Sequence, residues 1–144
     1  MKIIIGSDRS GLDLKHFIIN CLLIKNIVVE DINFLESDDY PDVAKRVCDL
    51  VLKDSNCKGI LICGTGMGMC IAANKIKKIR ATLCSNVYCA EKSRTSNNAN
   101  ILTLGALTIG KEVAKSIVEV WIKNYDVNPR SKIKLDKINE LENL

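Results

Sequence analysis

Hydrophobic residues follow two different spacings along this chain. Unbroken apolar runs occur at KIIIG (2–6), IVVED (27–31), GILIC (59–63), RATLC (80–84) and ANILTLG (99–105), and between them lie longer stretches in which apolar residues recur every three or four positions. The first kind of run suits a strand covered on both faces, the second a helix with one apolar stripe. Their alternation predicts strand and helix units wound around a parallel sheet. Leu14, Phe17, Ile18, Cys21 and Leu22 make the stripe of a first helix. Val43, Val47, Leu50 and Val51 make that of a second, which follows Tyr40-Pro41 with the proline in its first turn. Val113, Ile117, Val120 and Trp121 are the predicted buried face of a helix over 110–123, with the tryptophan read as core. His16 falls off its stripe and is assigned no role. After Asn128-Pro129 the pattern thins: RSKIKLDKINELENL offers only Ile133, Ile138 and Leu141, so a last helix there needs something further to pack on, a partner subunit being one candidate.

This pattern predicts a three-layer, Rossmann-like α/β fold with a five-stranded parallel sheet in the order 2-1-3-4-5, flanked by helices, and one domain over residues 1–144. Composition narrows the function. The net charge of +4 comes from 21 basic and 17 acidic residues, the lysines are scattered, and aromatics are only 4% of the chain. A nucleic-acid binder needs a basic stripe interleaved with aromatics, so that class is set aside. Seven cysteines are an odd number at irregular spacing without a C-x-x-C pair, and the chain has a single histidine. Those counts argue against a disulfide framework and a zinc site, and for reduced thiols in the cytoplasm. The apolar part of MKIIIGSD is too short for a signal peptide, and no run approaches a membrane span.

The chemistry concentrates in ILICGTGMGMCIAANK (60–75). In an open parallel sheet ligands lie beyond the carboxyl ends of the strands, where the strand order reverses. With strands one and three adjacent there, GSDRSG (6–11) and CGTGMG (63–68) flank one crevice, and Asp8 and Cys63 face it. A P-loop needs Lys then Ser or Thr at the helix start, where Met69-Cys70 stand, and a dinucleotide loop spaces its glycines differently from the strict alternation of Gly64, Gly66 and Gly68. What remains is a loop of backbone N–H groups leading into a helix N-terminus, a cradle for an anion or oxyanion, or else a plain connection with a structural cysteine beside it.

Gly6-Ser7-Asp8, ICGTGMGMCIAANK (62–75), Ile79-Arg80-Ala81, Ser85 with Tyr88 and Ala90, Ser93-Arg94, Asn97 with Ala99-Asn100, and Leu104-Gly105 together resemble the ribose-5-phosphate isomerase B family and the related galactose-6-phosphate isomerase subunits, from Met1 to about Leu135. The resemblance implies a cofactor-free, metal-free aldose–ketose isomerase of the non-oxidative pentose phosphate pathway, interconverting ribose 5-phosphate and ribulose 5-phosphate through a cis-enediolate. It implies that Cys63 shuttles the proton and that the backbone amides of Gly64, Thr65, Gly66, Met67 and Gly68 hold the enediolate oxygen. Thr65 and Asn97 match sugar-contacting positions, Asp8 one near the ring oxygen and hydroxyls, and Arg130 and Lys134 phosphate-binding bases in a site completed across a homodimer, or dimer-of-dimers, interface.

Departures from the family pattern are equally informative. Positions that the family often fills with histidine hold Arg9, Ser96 and Ser131, and one often filled by arginine holds Leu107. No imidazole is therefore expected at the site. Ring opening falls to Asp8 with Ser96 or a water, Arg9 joins the phosphate grip, and the rate profile should lack a limb near an imidazole's usual value of about 6.5 that disappears in His16→Ala. Two other readings accompany this one: isomerisation of a six-carbon 6-phosphate such as allose or galactose, and a catalytically silent sugar-phosphate-binding subunit.

Overall fold

The computed structural model describes residues 1–144. Five strands, β1 (Lys2–Ser7), β2 (Val28–Ile32), β3 (Cys57–Cys63), β4 (Ala81–Leu83) and β5 (Ile101–Gly105), alternate with α1 (Leu12–Ile24), α2 (Tyr40–Val51), α3 (Met67–Asn74), α4 (Val87–Thr95) and α5 (Lys111–Trp121), and α6 (Pro129–Leu141) closes the chain. All strand pairs are parallel, giving the predicted three-layer α/β architecture.

The strand order is β2-β1-β3-β5-β4, not the expected 2-1-3-4-5. Burial explains the exchange. All five residues of β5 are buried, so this strand needs neighbours on both edges and helices on both faces. β4 has three residues, two of them only half-buried, and suits an edge; β2, without a buried residue, takes the other edge. The adjacency of β1 and β3, on which the crevice depends, is unaffected.

Two apolar layers cover the sheet. Ile3, Ile5, Ile60, Ile62, Leu102 and Leu104 pack under α1, α4 and α5, with Trp121 fully buried among them. Ile4, Leu61, Cys63 and Ile101 pack under α2 and α3. The face of α5 is rotated from expectation: Ala114, Ile117, Val118 and Trp121 are buried, whereas Val113 is exposed and Val120 half-buried. Ala114 is small enough to let the helix approach closely, which a count of bulky residues overlooks. Phe17, Cys21 and Leu50 likewise flank their stripes as half-buried residues, and His16 is exposed.

Because every strand runs the same way, the sheet has two distinct edges, at the carboxyl and amino ends of the strands. The carboxyl edge carries the turns after β1, β2 and β3. The opposite edge carries the chain around Asn97 and Arg80, and there α6 is pinned by the Asn128 N–H to the Thr95 carbonyl (2.8 Å) and the Lys78 N–H to the Glu142 carboxylate (2.8 Å). Only Ser131 and Leu135 of α6 are buried, while Ile133, Ile138 and Leu141 are exposed.

Candidate active site

Cys63 ends β3, paired with Gly105 of β5. Its side chain is 5% exposed and forms the last member of the apolar layer under α2 and α3 before the chain turns into the glycine loop. The Gly66 N–H donates to its Sγ at 3.1 Å. That contact places the positive end of a fixed dipole at the atom that carries negative charge once the thiol gives up its proton.

The loop geometry depends on its glycines. Gly66, the N-cap of α3, has φ +75, and a β-carbon there would stand 2.6 Å from Leu83 Cδ1 and 2.8 Å from the Leu104 carbonyl carbon. At Gly68 the obstacle is an aromatic ring: Tyr40 would lie 2.6 Å from an added β-carbon. The N–H groups of Gly64 and Thr65 make no hydrogen bond within the chain, and the first turn of α3 has none of its own to offer its leading N–H groups beyond the Met67 N–H to Thr65 Oγ1 bond at 3.3 Å. These donors give the loop its capacity for an oxyanion.

The turn after β1 meets this loop directly. The Asp8 N–H donates to the Ile62 carbonyl (3.1 Å), and Asp8 Oδ1 accepts the Gly11 N–H (3.0 Å), which fixes the carboxylate at the start of α1 with its second oxygen unused. The Leu107 N–H donates to the Gly64 carbonyl at 2.9 Å, closing the other side. Asp8, Arg9, Cys63 and the loop from Gly64 to Gly68 are thus brought together at the carboxyl edge, with Thr65 and Met67 exposed.

The remaining expected residues lie elsewhere. Ser96, Asn97, Arg130 and Lys134 line one cavity of about 350 Å³, with Asn128 and Ser131. This groove belongs to the opposite edge: Cys63 pairs with Gly105 and Gly59 with Ile101, so the strands alone separate the two ends by about 13 Å at roughly 3.3 Å per residue, and Asn97 lies beyond. One chain therefore holds the expected residues in two separate places, a thiol with its N–H cradle at one edge and a basic groove with polar side chains at the other.

Two contributors were not foreseen in the sequence. The spacing marks Tyr40 only as the residue before the proline that opens a helix, yet its ring covers the Gly68 face of the loop. Asn74 of the AANK segment bridges α3 to the edge strand β4, accepting from the Ala81 N–H at 2.8 Å and donating to the Ala81 carbonyl at 2.9 Å. Its amide substitutes for the missing neighbour strand, a role visible only once β4 is known to be an edge. No three His, Cys, Asp or Glu side chains converge as a metal-ligand set.

Comparison with known proteins places these observations in context. The sequence model of the family described as Ribose/Galactose Isomerase matches residues 3–138. A ribose-5-P isomerase B of Listeria innocua is 42% identical over 144 residues, covering 99% of this chain and 97% of the relative. A D-erythrulose-4-phosphate isomerase of Pectobacterium atrosepticum is 40% identical over 145 residues, covering 99% of this chain and 95% of its own. The crystal structure of ribose-5-phosphate isomerase B from Mycoplasma genitalium with bound ribulose-5-phosphate superposes with a TM-score of 0.92 at 39% identity, covering 99% of this chain and 96% of that one.

Proposed function

The chain belongs to the ribose/galactose isomerase family, and from that membership we propose that it interconverts ribose 5-phosphate and ribulose 5-phosphate as a cytoplasmic enzyme of the non-oxidative pentose phosphate pathway, without a cofactor. The observation that carries the proposal is the Cys63 sulfur under the Gly66 N–H at the carboxyl end of β3, beside the Asp8 turn. In the open-chain sugar the Cys63 thiolate takes the proton from C2. The electrons move onto the C1 carbonyl oxygen, giving a cis-enediolate whose oxygens are held by the Gly64–Gly68 N–H groups and the Thr65 hydroxyl. The thiol returns the proton to C1, the C2 hydroxyl proton passes to the C1 oxygen, and the ketose forms. Asp8, with one oxygen free, acts with Ser96 or a water in ring opening, and Asn97 contacts the sugar.

Phosphate falls to Arg9, Arg130 and Lys134, cations outside every ion pair of the chain. Because the groove of Ser96, Asn97, Arg130 and Lys134 opens at the edge away from Cys63, the proposed active unit is a homodimer. Each groove faces the partner's thiol loop, and Ile133 and Leu141 of α6, 69% and 64% exposed, supply apolar area for the interface.

Mixed dimers test this arrangement. Cys63→Ala and the double variant Arg130→Ala/Lys134→Ala should each be inactive, whereas their purified heterodimer regains one native site, assembled from the intact Cys63 of one subunit and the intact bases of the other. A heterodimer no more active than its parents contradicts the shared site. Assay of ribose 5-phosphate beside allose 6-phosphate, galactose 6-phosphate and erythrulose 4-phosphate fixes the substrate length.

A further inference from the structure

Arg9 follows Asp8 in the turn at the carboxyl edge of β1, exposed and without a carboxylate partner. Its guanidinium carbon lies 5.4 Å from the centroid of the Phe34 ring, inside the range in which an aromatic face attracts a cation. An exposed arginine resting on a phenylalanine is ordinary surface packing when the ring itself is loose. Here it is not.

Phe34 belongs to the connection from β2 to α2, and side chains hold the backbone on both sides of it. Before it, Lys15, only 2% exposed, pairs with the Asp31 carboxylate at 2.7 Å and donates to the Ile32 carbonyl at 3.4 Å. Arg46 Nη2 donates to the Asn33 carbonyl at 3.0 Å. After it, Asp38 Oδ2 accepts the Leu35 N–H at 2.7 Å, and the same carboxylate takes a two-pronged grip from Arg46 at 2.8 and 2.6 Å. A single guanidinium thus bridges the residue before Phe34 to the carboxylate that holds the residue after it. The ring packs against the apolar layer under α2 and α3, to which Cys63 also belongs. A long, flexible side chain gains most from such a support, because each rotamer it no longer visits lowers the entropy lost when its fork meets an anion.

We propose that Phe34, fixed by the Arg46–Asp38 pair, is a positioning residue that pre-sets Arg9 for the phosphate group of the substrate. The inference rests on the reading that Arg9 contacts that phosphate. It also accounts for arginine at this position: the planar guanidinium can stack on a ring and still present two N–H groups to a phosphate.

Steady-state kinetics with ribose 5-phosphate separate the two ideas. Arg9→Ala should raise KM at least tenfold; no change there overturns the phosphate role of Arg9. Phe34→Leu keeps an apolar side chain without the ring and should raise KM two- to fivefold, the equivalent of the about 0.5–1 kcal/mol of an exposed cation–π contact, with kcat within twofold. Phe34→Tyr, which keeps the ring, should restore the native KM. In an Arg9→Ala background Phe34→Leu should add nothing. Arg46→Ala leaves the ring but frees its connection, so it serves as a second probe and should also raise KM. Competitive inhibition by inorganic phosphate should weaken in parallel in each variant with raised KM. If Arg9→Ala raises KM while Phe34→Leu and Arg46→Ala leave it unchanged, or if Phe34→Leu raises it by the same factor with and without Arg9, the positioning role is wrong.

Discussion

Gly66 meets two demands at once. Its N–H must reach the Cys63 sulfur, and its backbone must turn through φ +75 to open α3. An L side chain costs about 1–2 kcal/mol in that conformation, and a β-carbon has no room beside Leu83 and Leu104. Gly66→Ala should therefore lower both melting temperature and kcat, the latter by about a hundredfold or more if the loop N–H groups hold the enediolate. A variant that is destabilised yet keeps its kcat removes these N–H groups from the chemistry. Burial sorts the cysteines as well. The Cys48 thiol is pushed up to about 12, chiefly by burial, and Cys89 is exposed. Alkylation at pH 8 followed by mass spectrometry should find Cys89 modified first and Cys48 last, and ribulose 5-phosphate should slow modification of Cys63 while leaving Cys89 unchanged. Protection of both thiols alike speaks against a sugar site at Cys63.

The connection from β2 to α2 is organised around one ion pair. The Asp38 carboxyl, normally near 3.8, is held at about 2 by hydrogen bonds from Arg46 first and the Leu35 N–H second. The folded chain binds this proton less readily than the unfolded chain does. The resulting stabilisation is complete above the ordinary carboxylate value and is lost as pH falls through the folded one. Native chain and Asp38→Asn should differ in melting temperature at neutral pH and converge between about pH 4 and pH 2; a gap constant over that range shows that the pair contributes nothing through this proton. Most elements could be read from hydrophobic spacing, since KIIIG and GILIC have the composition of doubly covered strands and Val43, Val47 and Val51 the spacing of a buried helix face. The place of β5 could not, because chain order says nothing about which strand needs two neighbours. The buried face of α5 differs from the expected one because Ala114 contributes closeness rather than bulk. Tyr40 and Phe34 are illegible in the sequence for a related reason: each meets a residue distant in the chain, and no local pattern marks that.

At the scale of the molecule, parallel winding sends everything that follows a strand to one edge and everything that precedes it to the other. Cys63, Asp8 and the glycine loop are gathered by that rule, and Ser96, Asn97, Arg130 and Lys134 are separated from them by the same rule. The motif residues were legible as a set because the resemblance covers them all, but their division between two edges follows from topology alone. The proposed homodimer resolves the division, with α6 as the element that carries Arg130 and Lys134, the proposed phosphate-binding bases, outward on a helix whose own chain buries little of it. The central claim remains a proton moved by one sulfur. In D2O, ribose 5-phosphate incubated with the native protein should gain deuterium at C2 by NMR, and at C1 of the ribulose 5-phosphate formed, while Cys63→Ala, folded and still binding the sugar phosphate, should leave both positions protonated. Exchange by Cys63→Ala at the native rate would contradict the account.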